Sequence, residues 1–535
     1  TYGISGETGI EDVQECFNGS NCEVLMTNVY TEHLKQQLSE LFNEIVVSSN
    51  SGFEDFSPVK YLDFATNTLD QNEQKIIEEK WQPNTKLPSI RALAKQHKLS
   101  IISVQKALIA LESSETIYVK EKSGYYVKEP KKVIEQTKPR KLTQPKIVNV
   151  PDIFFEIMEH SAAFDISPHT YNKDQPQNHI IVLNRHISRA LRQQPQNKAL
   201  YYSEPSGNRD LRQQICEHYV NRDLHVSPDQ ICITSGCQNS LFLALLSTCQ
   251  AGDIVAVESP AFYGVLQLIQ HLKLKVIELP SSYTQGLDAT TLQEAAKRWS
   301  IKACIVTPSF ATPTGALIPI EQKKHLVDVA NAHQITLIED DIYGDLGFQA
   351  RVPPLKKFDT QGQVIVCSSF SKSLSRDLRV GWIIASDNIN KIAHLKLVNQ
   401  LSNSQAIQQG LTTFLKEGYY ERHLNQYRRT LLRQRDQLTQ ALSKYWQFPI
   451  RYTVPDGGLA LWIELPDKID TLDLYAKARE EEIILTPGLL FTSRKGFHNN
   501  LRLSFAHPIA GKRLDAFKRL GEIIKNSLTK RRKVR

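Results

Sequence analysis

Ser369-Phe370-Ser371-Lys372-Ser373-Leu374, followed by Leu378-Arg379-Val380-Gly381-Trp382, is the stretch on which the reading of the fold turns. It lies between two apolar runs, 364–367 and 380–385, that read as strands. A lysine in apolar surroundings beside another cation loses its proton easily, because burial and like charge both disfavour the ammonium. The free amine can then attack a carbonyl carbon. Working outward, strand-like runs recur at 231–234, 254–258, 275–279, 303–307 and 335–339, alternating with helical patterns. Such alternation predicts an α/β domain with a mostly parallel sheet. A smaller α+β part is expected from about residue 400, with strands near 458–464 and 501–505.

The chain has 535 residues, too many for one core, so two or three domains are expected. With 41% hydrophobic and 23% charged residues, the composition is that of an ordinary globular protein. No apolar run approaches the ~20 residues that span a bilayer, and no signal-peptide pattern opens the chain, so a cytoplasmic location and no membrane partner are expected. The eight cysteines form no Cys-x-x-Cys pair and several sit in apolar strand-like runs, as in Ile231-Cys232-Ile233. They read as buried free thiols, not as a disulfide framework or a metal site. The net charge of +8 is modest, but its distribution is uneven. Residues 1–60 carry about −8, while 61–132 and 133–150 carry about +3 each.

Chemistry-bearing residues cluster at the ends of the expected strands. Thr234-Ser235-Gly236-Cys237-Gln238 follows one strand and opens an apolar helix, where backbone N–H groups bind phosphate well. Glu258-Ser259-Pro260-Ala261-Phe262-Tyr263 follows the next strand. Glu339-Asp340-Asp341-Ile342-Tyr343 ends another, and ligands of open α/β sheets lie beyond the carboxyl ends of the strands. Pyridoxal 5′-phosphate (PLP) chemistry needs an imine-forming lysine, an anion cradle, a carboxylate for the pyridine nitrogen, a donor to the phenolic oxygen and an aromatic on the ring face. All five are on offer here.

In order and spacing, about 380 residues of the chain resemble the fold-type I aminotransferases. The resemblance implies that Lys372 carries PLP as a Schiff base, with Ser369, Arg379 and Ser371 on its phosphate beside Ser235, Gly236 and Cys237. It implies that Asp340 pairs with the pyridinium nitrogen, Tyr343 with the phenolate oxygen, and Phe262 with the ring face. Asp341 reads as a solvated neighbour. Tyr202-Ser203-Glu204-Pro205-Ser206-Gly207 … Leu211-Arg212 resembles the motif whose tyrosine reaches the neighbouring subunit's cofactor phosphate, which implies a homodimer. Arg502, in Asn500-Leu501-Arg502-Leu503, matches the arginine that clamps a substrate carboxylate. Two departures stand out. Thr312-Pro313-Thr314-Gly315 replaces Asn-Pro-x-Gly, so Thr312 stands where an asparagine would bond the phenolate oxygen. Arg376-Asp377 replaces a Pro-Gly. Both argue for weak turnover at most.

Ahead of this domain, helical patterns at 61–80, 88–98 and 100–114 precede β-like pieces at 117–119 and 125–127. Three helices and a hairpin make a winged helix-turn-helix. Lys86-Leu87-Pro88-Ser89-Ile90-Arg91-Ala92-Leu93-Ala94 and Ser123-Gly124-Tyr125-Tyr126-Val127 resemble the GntR regulators over about 50 residues. A recognition helix reads base edges while cations fix phosphates. Arg91, Ser100, Ser103, Gln105, Lys106 and Lys122 are the expected DNA contacts, with Ile101 where the family often has arginine. The expected division is an extension at 1–60, a winged helix at 61–130, a linker at 131–152 and the aminotransferase-like domain at 153–535.

That order resembles the MocR-type subfamily of GntR regulators. It implies a PLP-dependent regulator of transcription that binds a double-stranded DNA operator. Its aminotransferase-like domain would sense an amine or amino acid effector through the PLP aldimine. An active aminotransferase with a retained DNA-binding domain, and a repressor whose large domain binds no cofactor, remain the alternatives.

Overall fold

Strand order fixes where a site can form. The computed structural model describes residues 85–97, 117–120, 123–127, 142–148, 178–193, 202–349 and 351–530, with the single helical residues Ile101, Val104, Gln105, Leu108 and Glu112. The chain divides into two units, 1–130 and 131–535.

In the first unit, α1 (Ile90–His97) begins after Ser89, whose hydroxyl accepts from the Ala92 amide at 3.2 Å and caps the helix. Strands β1 (Ile117–Lys120) and β2 (Gly124–Val127) pair antiparallel, Ile117 opposite Val127 and Lys120 opposite Gly124. Leu87, Leu93, Val104, Leu108 and Ile117 form one small core, which joins α1, the following helical residues and the hairpin. The expected helix at 61–80 lies outside the described residues.

The second unit holds a sheet of nine strands. Its path runs β3 (Lys146–Ile147), β6 (Lys275–Ser282), β5 (Ile254–Ser259), β8 (Ile301–Val306), β9 (Thr336–Asp340), β10 (Val364–Ser369), β11 (Gly381–Ile384) and β4 (Ile231–Thr234), while β7 (Gly286–Leu287) pairs with β6. The five central strands pair parallel in the order β6-β5-β8-β9-β10. Helices pack on both faces, so strands such as β10 are buried at every residue and read as unbroken apolar runs. Strand β11 runs antiparallel to both β10 and β4. Its N-terminal end, with Arg379 just before it, therefore meets the carboxyl ends of its neighbours: Gly381 stands opposite Ser369 on one side and Thr234 on the other. A Cβ on Gly381 would sit 2.7 Å from the Ser368 carbonyl oxygen and from the Gly236 carbonyl carbon, so only glycine admits this approach.

Helices α2 (Asn178–Gln193), α3 (Arg209–Val220), α4 (Cys237–Thr248), α5 (Tyr263–His271), α6 (Ala289–Arg298), α7 (Ile320–Ala332), α8 (Ile389–Gln400) and α9 (Gln405–Lys416) belong to this larger part. The 27-residue α10 (Tyr419–Tyr445) leads out of it. Its Tyr420 and Leu424 pack in the core around Trp382, while Leu431 and Leu438 pack in that of the small domain. The small domain is an antiparallel sheet, β12 (Arg451–Tyr452), β13 (Ala460–Glu464), β15 (Asn500–Ser504) and β14 (Thr486–Pro487), with α11 (Thr471–Arg479) and α12 (Gly511–Lys530). The expected strands are present, that at 231–234 with the same bounds and the others with ends shifted by at most three residues. Part of the segment read as a linker is built into the sheet: Lys146 and Ile147 pair with Val276 and Lys275, and Val148 is buried. Among the described residues, no helix is long and apolar enough to cross a membrane.

Candidate functional site

The parallel order brings the sequence-predicted residues to one edge of the sheet. Ser235, Gly236 and Cys237 follow β4, Phe262 follows β5, Asp340 ends β9, Ser369 ends β10, and Ser371 and Lys372 follow it. Gly236, at φ +94°, turns the chain into α4, and no side chain caps that helix. A Cβ on Gly236 would lie 2.9 Å from Arg379 Nη2, which donates to the Ser235 carbonyl at 2.9 Å. Asn403 donates to Ser235 Oγ at 3.1 Å, as does Gln400. On the facing loop the Ser371 amide donates to Ser369 Oγ at 3.3 Å. Ser371 Oγ is buried without a hydrogen-bond partner. A helix N-terminus, an exposed arginine and an unpaired buried hydroxyl together suit a phosphate.

Lys372 is half-buried, and its ammonium is held well below its ordinary range. Burial does most of this, the charges of Arg376 and Arg502 add to it, and Asp340 opposes. Asp340 is buried, with its carboxyl pushed up to about 6 by desolvation. The Cys237 thiol, donating to its Oδ1 at 3.2 Å, and the Ile342 amide pull it back, and so does Lys372. At neutral pH Asp340 is thus a carboxylate able to keep a ring nitrogen protonated. The donor set of Lys372, Asp340, Tyr343 and the cradle fits PLP.

Tyr343 and Arg502 line one narrow cleft with Phe310, Thr312, Leu459 and Ala460. Arg502 is buried in β15, and its Nε donates to Thr312 Oγ1 at 3.2 Å. The Tyr343 phenol, pushed up by burial, also shares a hydrogen bond with Thr312. The threonine hydroxyl is therefore engaged by the two groups that flank it. Phe262 and Tyr263 lie together, ring centres 4.7 Å apart, and Tyr263 packs on Phe491 of the small domain. Tyr202 is 77% exposed in the single chain.

Asp341 overturns its expected role as a solvated neighbour. It is 2% exposed and takes a bidentate pair from Arg222, at 2.5 and 2.7 Å, plus the Tyr219 hydroxyl at 2.9 Å. Arg222 is 119 residues away in sequence, so no local pattern announces the pair. A second buried ion pair follows: His218 Nε2 meets Asp345 Oδ1 at 2.8 Å, with Glu421 3.4 Å from Nδ1. Burial opposes the charge on His218, yet Asp345 and Glu421 leave it pushed up to about 9. Because the folded value lies above the ordinary 6.5, this pair's stabilisation is complete below that pH and is lost as pH rises through 9. The melting temperature is expected to fall between pH 7 and 9.5. His218→Asn, which still donates to Asp345, is expected to shrink that fall; an unchanged fall would contradict the assignment.

In the first unit, Arg91 and Gln105 are exposed and helical, as a DNA reader requires. Ser100, Ser103, Lys106 and Lys122 lie outside the described residues.

Residues 170–513 match the model of the aminotransferase class I and II family, and residues 67–127 match that of the bacterial regulatory proteins of the gntR family. The chain is similar to the uncharacterized HTH-type transcriptional regulator YjiR of Escherichia coli K12, 33% identical over 472 residues, 87% of this chain and 98% of the relative. It is also similar to the HTH-type transcriptional regulator NorG of Staphylococcus aureus USA300, 27% identical, covering 79% and 95%. Among solved structures it resembles the alpha-aminoadipate aminotransferase LysN of Thermus thermophilus, complexed with N-(5′-phosphopyridoxyl)-L-leucine. The TM-score is 0.63 at 28% identity over 71% of this chain and 95% of that one. The kynurenine aminotransferase of Pyrococcus horikoshii, in complex with PMP, gives a TM-score of 0.63 at 25% identity, covering 71% and 96%.

Proposed function

The chain belongs to the aminotransferase class I and II family and carries a gntR-family regulatory segment ahead of it, and from that premise we propose a PLP-dependent transcriptional regulator whose aminotransferase-like domain senses an amino acid or amine. One observation carries this reading. A lysine with a depressed pKa lies within reach of the charge of a buried arginine, in a chain whose residues 67–127 match the gntR-family regulatory proteins.

When bound, PLP supplies an electrophilic carbon that condenses with primary amines. Lys372 provides the amine that holds it. Arg379, Ser371, Ser369 and the backbone of Ser235, Gly236 and Cys237 take the phosphate. Asp340 holds the proton on the ring nitrogen, Tyr343 donates to the phenolic oxygen, and Phe262 covers the ring. Arg502 is assigned to the effector's carboxylate. Effector bound across both domains favours one arrangement of α10 and the small domain. That difference between two states is what the segment 131–152 passes to the winged helix. Arg91, Ser100, Ser103, Gln105, Lys106 and Lys122 are assigned to the operator. Tyr202 is exposed as a residue offered to a second copy would be, so the regulator is assigned as a homodimer. The Thr312 hydroxyl, shared by Arg502 and Tyr343, leaves tuning of the phenolic oxygen to Tyr343, which favours a sensor over an efficient transaminase.

Effector titration followed by PLP absorbance tests the arrangement. Arg502→Ala is expected to weaken the response to amino acids about a hundredfold, the scale of removing one partner of a buried charge pair. An amine lacking a carboxylate is expected to respond as before. Equal losses for both would remove Arg502 from the effector site. Rapid turnover with 2-oxoglutarate would favour the enzyme reading instead.

A further inference from the structure

The hydrogen bonds of Ser373, the residue after Lys372, lead away from the cofactor site. Ser373 is 2% exposed. Its carbonyl oxygen accepts from His423 Nε2 at 2.8 Å, and its hydroxyl lies 2.7 Å from that of Tyr420. Both partners stand in the first two turns of α10, the helix that joins the two cores. Tyr420 also donates to Asp345 Oδ2 at 2.9 Å. Asp345 follows Tyr343 by two residues and Asp340 by five, and Arg428 of α10 donates to its carbonyl at 2.7 Å. A phenol has one proton, and the Asp345 carboxylate, held well below the usual range despite burial by the His218 charge, is the stronger acceptor. The Ser373 hydroxyl must then donate to Tyr420, which gives an ordered run from Ser373 through Tyr420 to Asp345.

We propose that Tyr420 and Ser373 are positioning residues that set Lys372 in register with the Asp340–Tyr343 turn and with α10. The hold on PLP then depends on where α10 stands. The device touches neither cofactor nor effector; it acts through the loop that carries Lys372 and the turn that carries Asp340. The inference rests on the reading that Lys372 holds PLP. Packing alone is the competing account, since Phe370 and Tyr420 meet edge to face at 5.4 Å. Tyr420→Phe separates the two, because it keeps the ring and removes only the hydroxyl.

The test uses the full-length protein loaded with PLP. Release is followed as decay of lysine-linked absorbance after dilution into a PLP scavenger, and the same band is titrated with pH. Tyr420→Phe and Ser373→Ala are each expected to speed release about tenfold, the effect of one buried hydrogen bond, and to displace the titration midpoint. The double variant is expected to release no faster than Tyr420→Phe alone, because that substitution already removes the bond that Ser373→Ala breaks. Ser373→Thr, which keeps the hydroxyl, is expected to restore the wild-type rate. Wild-type release and midpoint in both single variants would overturn the proposal, and so would single effects that multiply in the double. If the wild-type chain takes up no PLP, the reading of the site falls and the relay with it. If it does, and the variants hold PLP equally well, only the relay falls.

Discussion

Lys372→Ala protein mixed with PLP is expected to show none of the visible absorbance of lysine-linked cofactor, at any PLP concentration that saturates the wild type. The covalent link needs an unprotonated amine at neutral pH. Burial, Arg376 and Arg502 make Lys372 that amine. Alanine leaves the phosphate cradle and Asp340 in place, so PLP can still dock without the bond. Equilibrium dialysis is therefore expected to show residual, rapidly reversible binding that is at least about a hundredfold weaker, because the covalent term is gone and only the non-covalent contacts remain. Wild-type absorbance in Lys372→Ala would move the attachment point to another lysine. The buried Lys323 and Lys396 are the nearest alternatives by chemistry, but both are committed to backbone carbonyls, of Pro353 and Pro205.

Arg222→Ala is expected to cost about 3–5 kcal/mol of stability, the scale of breaking a buried ion pair. The guanidinium donates to both oxygens of Asp341 and, through Nε, to the Val352 carbonyl at 3.0 Å. Removing it strands a buried carboxylate that the Tyr219 hydroxyl alone cannot offset. Arg222→Lys is expected to recover little, because an ammonium cannot match the two-pronged geometry. The neighbouring Asp340 is expected to respond as well, since an uncompensated charge on Asp341 raises its pKa and weakens its claim on the ring nitrogen. Urea unfolding with Arg209→Ala as reference provides the measurement. Arg209 pairs with Asp229 on the surface, and its loss is expected to cost no more than about 1 kcal/mol. Equal, small losses for both variants would contradict the account.

The contrast between these two positions shows what was legible in the sequence. Lys372 lies in a run whose serines, glycine and Arg379 all sit within ten residues, so local spacing carried it. The alternation of apolar runs likewise gave the parallel sheet and the strand ends where the site forms. Direction was less legible: nothing in Gly381-Trp382-Ile383-Ile384 says that β11 runs against its neighbours, yet that reversal returns Arg379 to the cradle. Asp341 was misread because strand-end carboxylates look alike, and the partner that buries this one stands on the far side of β4 in sequence. His218 with Asp345, and Tyr420 with Ser373, were missed for the same reason, being contacts across 127 and 47 residues. Thr312 was visible as a departure, but not that its hydroxyl serves Arg502. Residues 142–148 read as linker because the stretch 129–150 around them holds three prolines and no apolar periodicity, although Ile147-Val148 is a short apolar signal of the edge strand.

The central claim joins the two ends of the chain: occupancy of the Lys372 site changes how the winged helix holds DNA. The most direct measurement is the affinity of the full-length protein for a DNA fragment it selects from genomic DNA. It is taken at fixed salt, with PLP, and with or without amino acids, for wild type and Lys372→Ala. The account predicts that at least one amino acid shifts wild-type affinity about tenfold or more, a coupling of about 1.4 kcal/mol, and that Lys372→Ala does not respond. Wild-type affinity indifferent to PLP and to every amino acid, or an equal shift in Lys372→Ala, would contradict it.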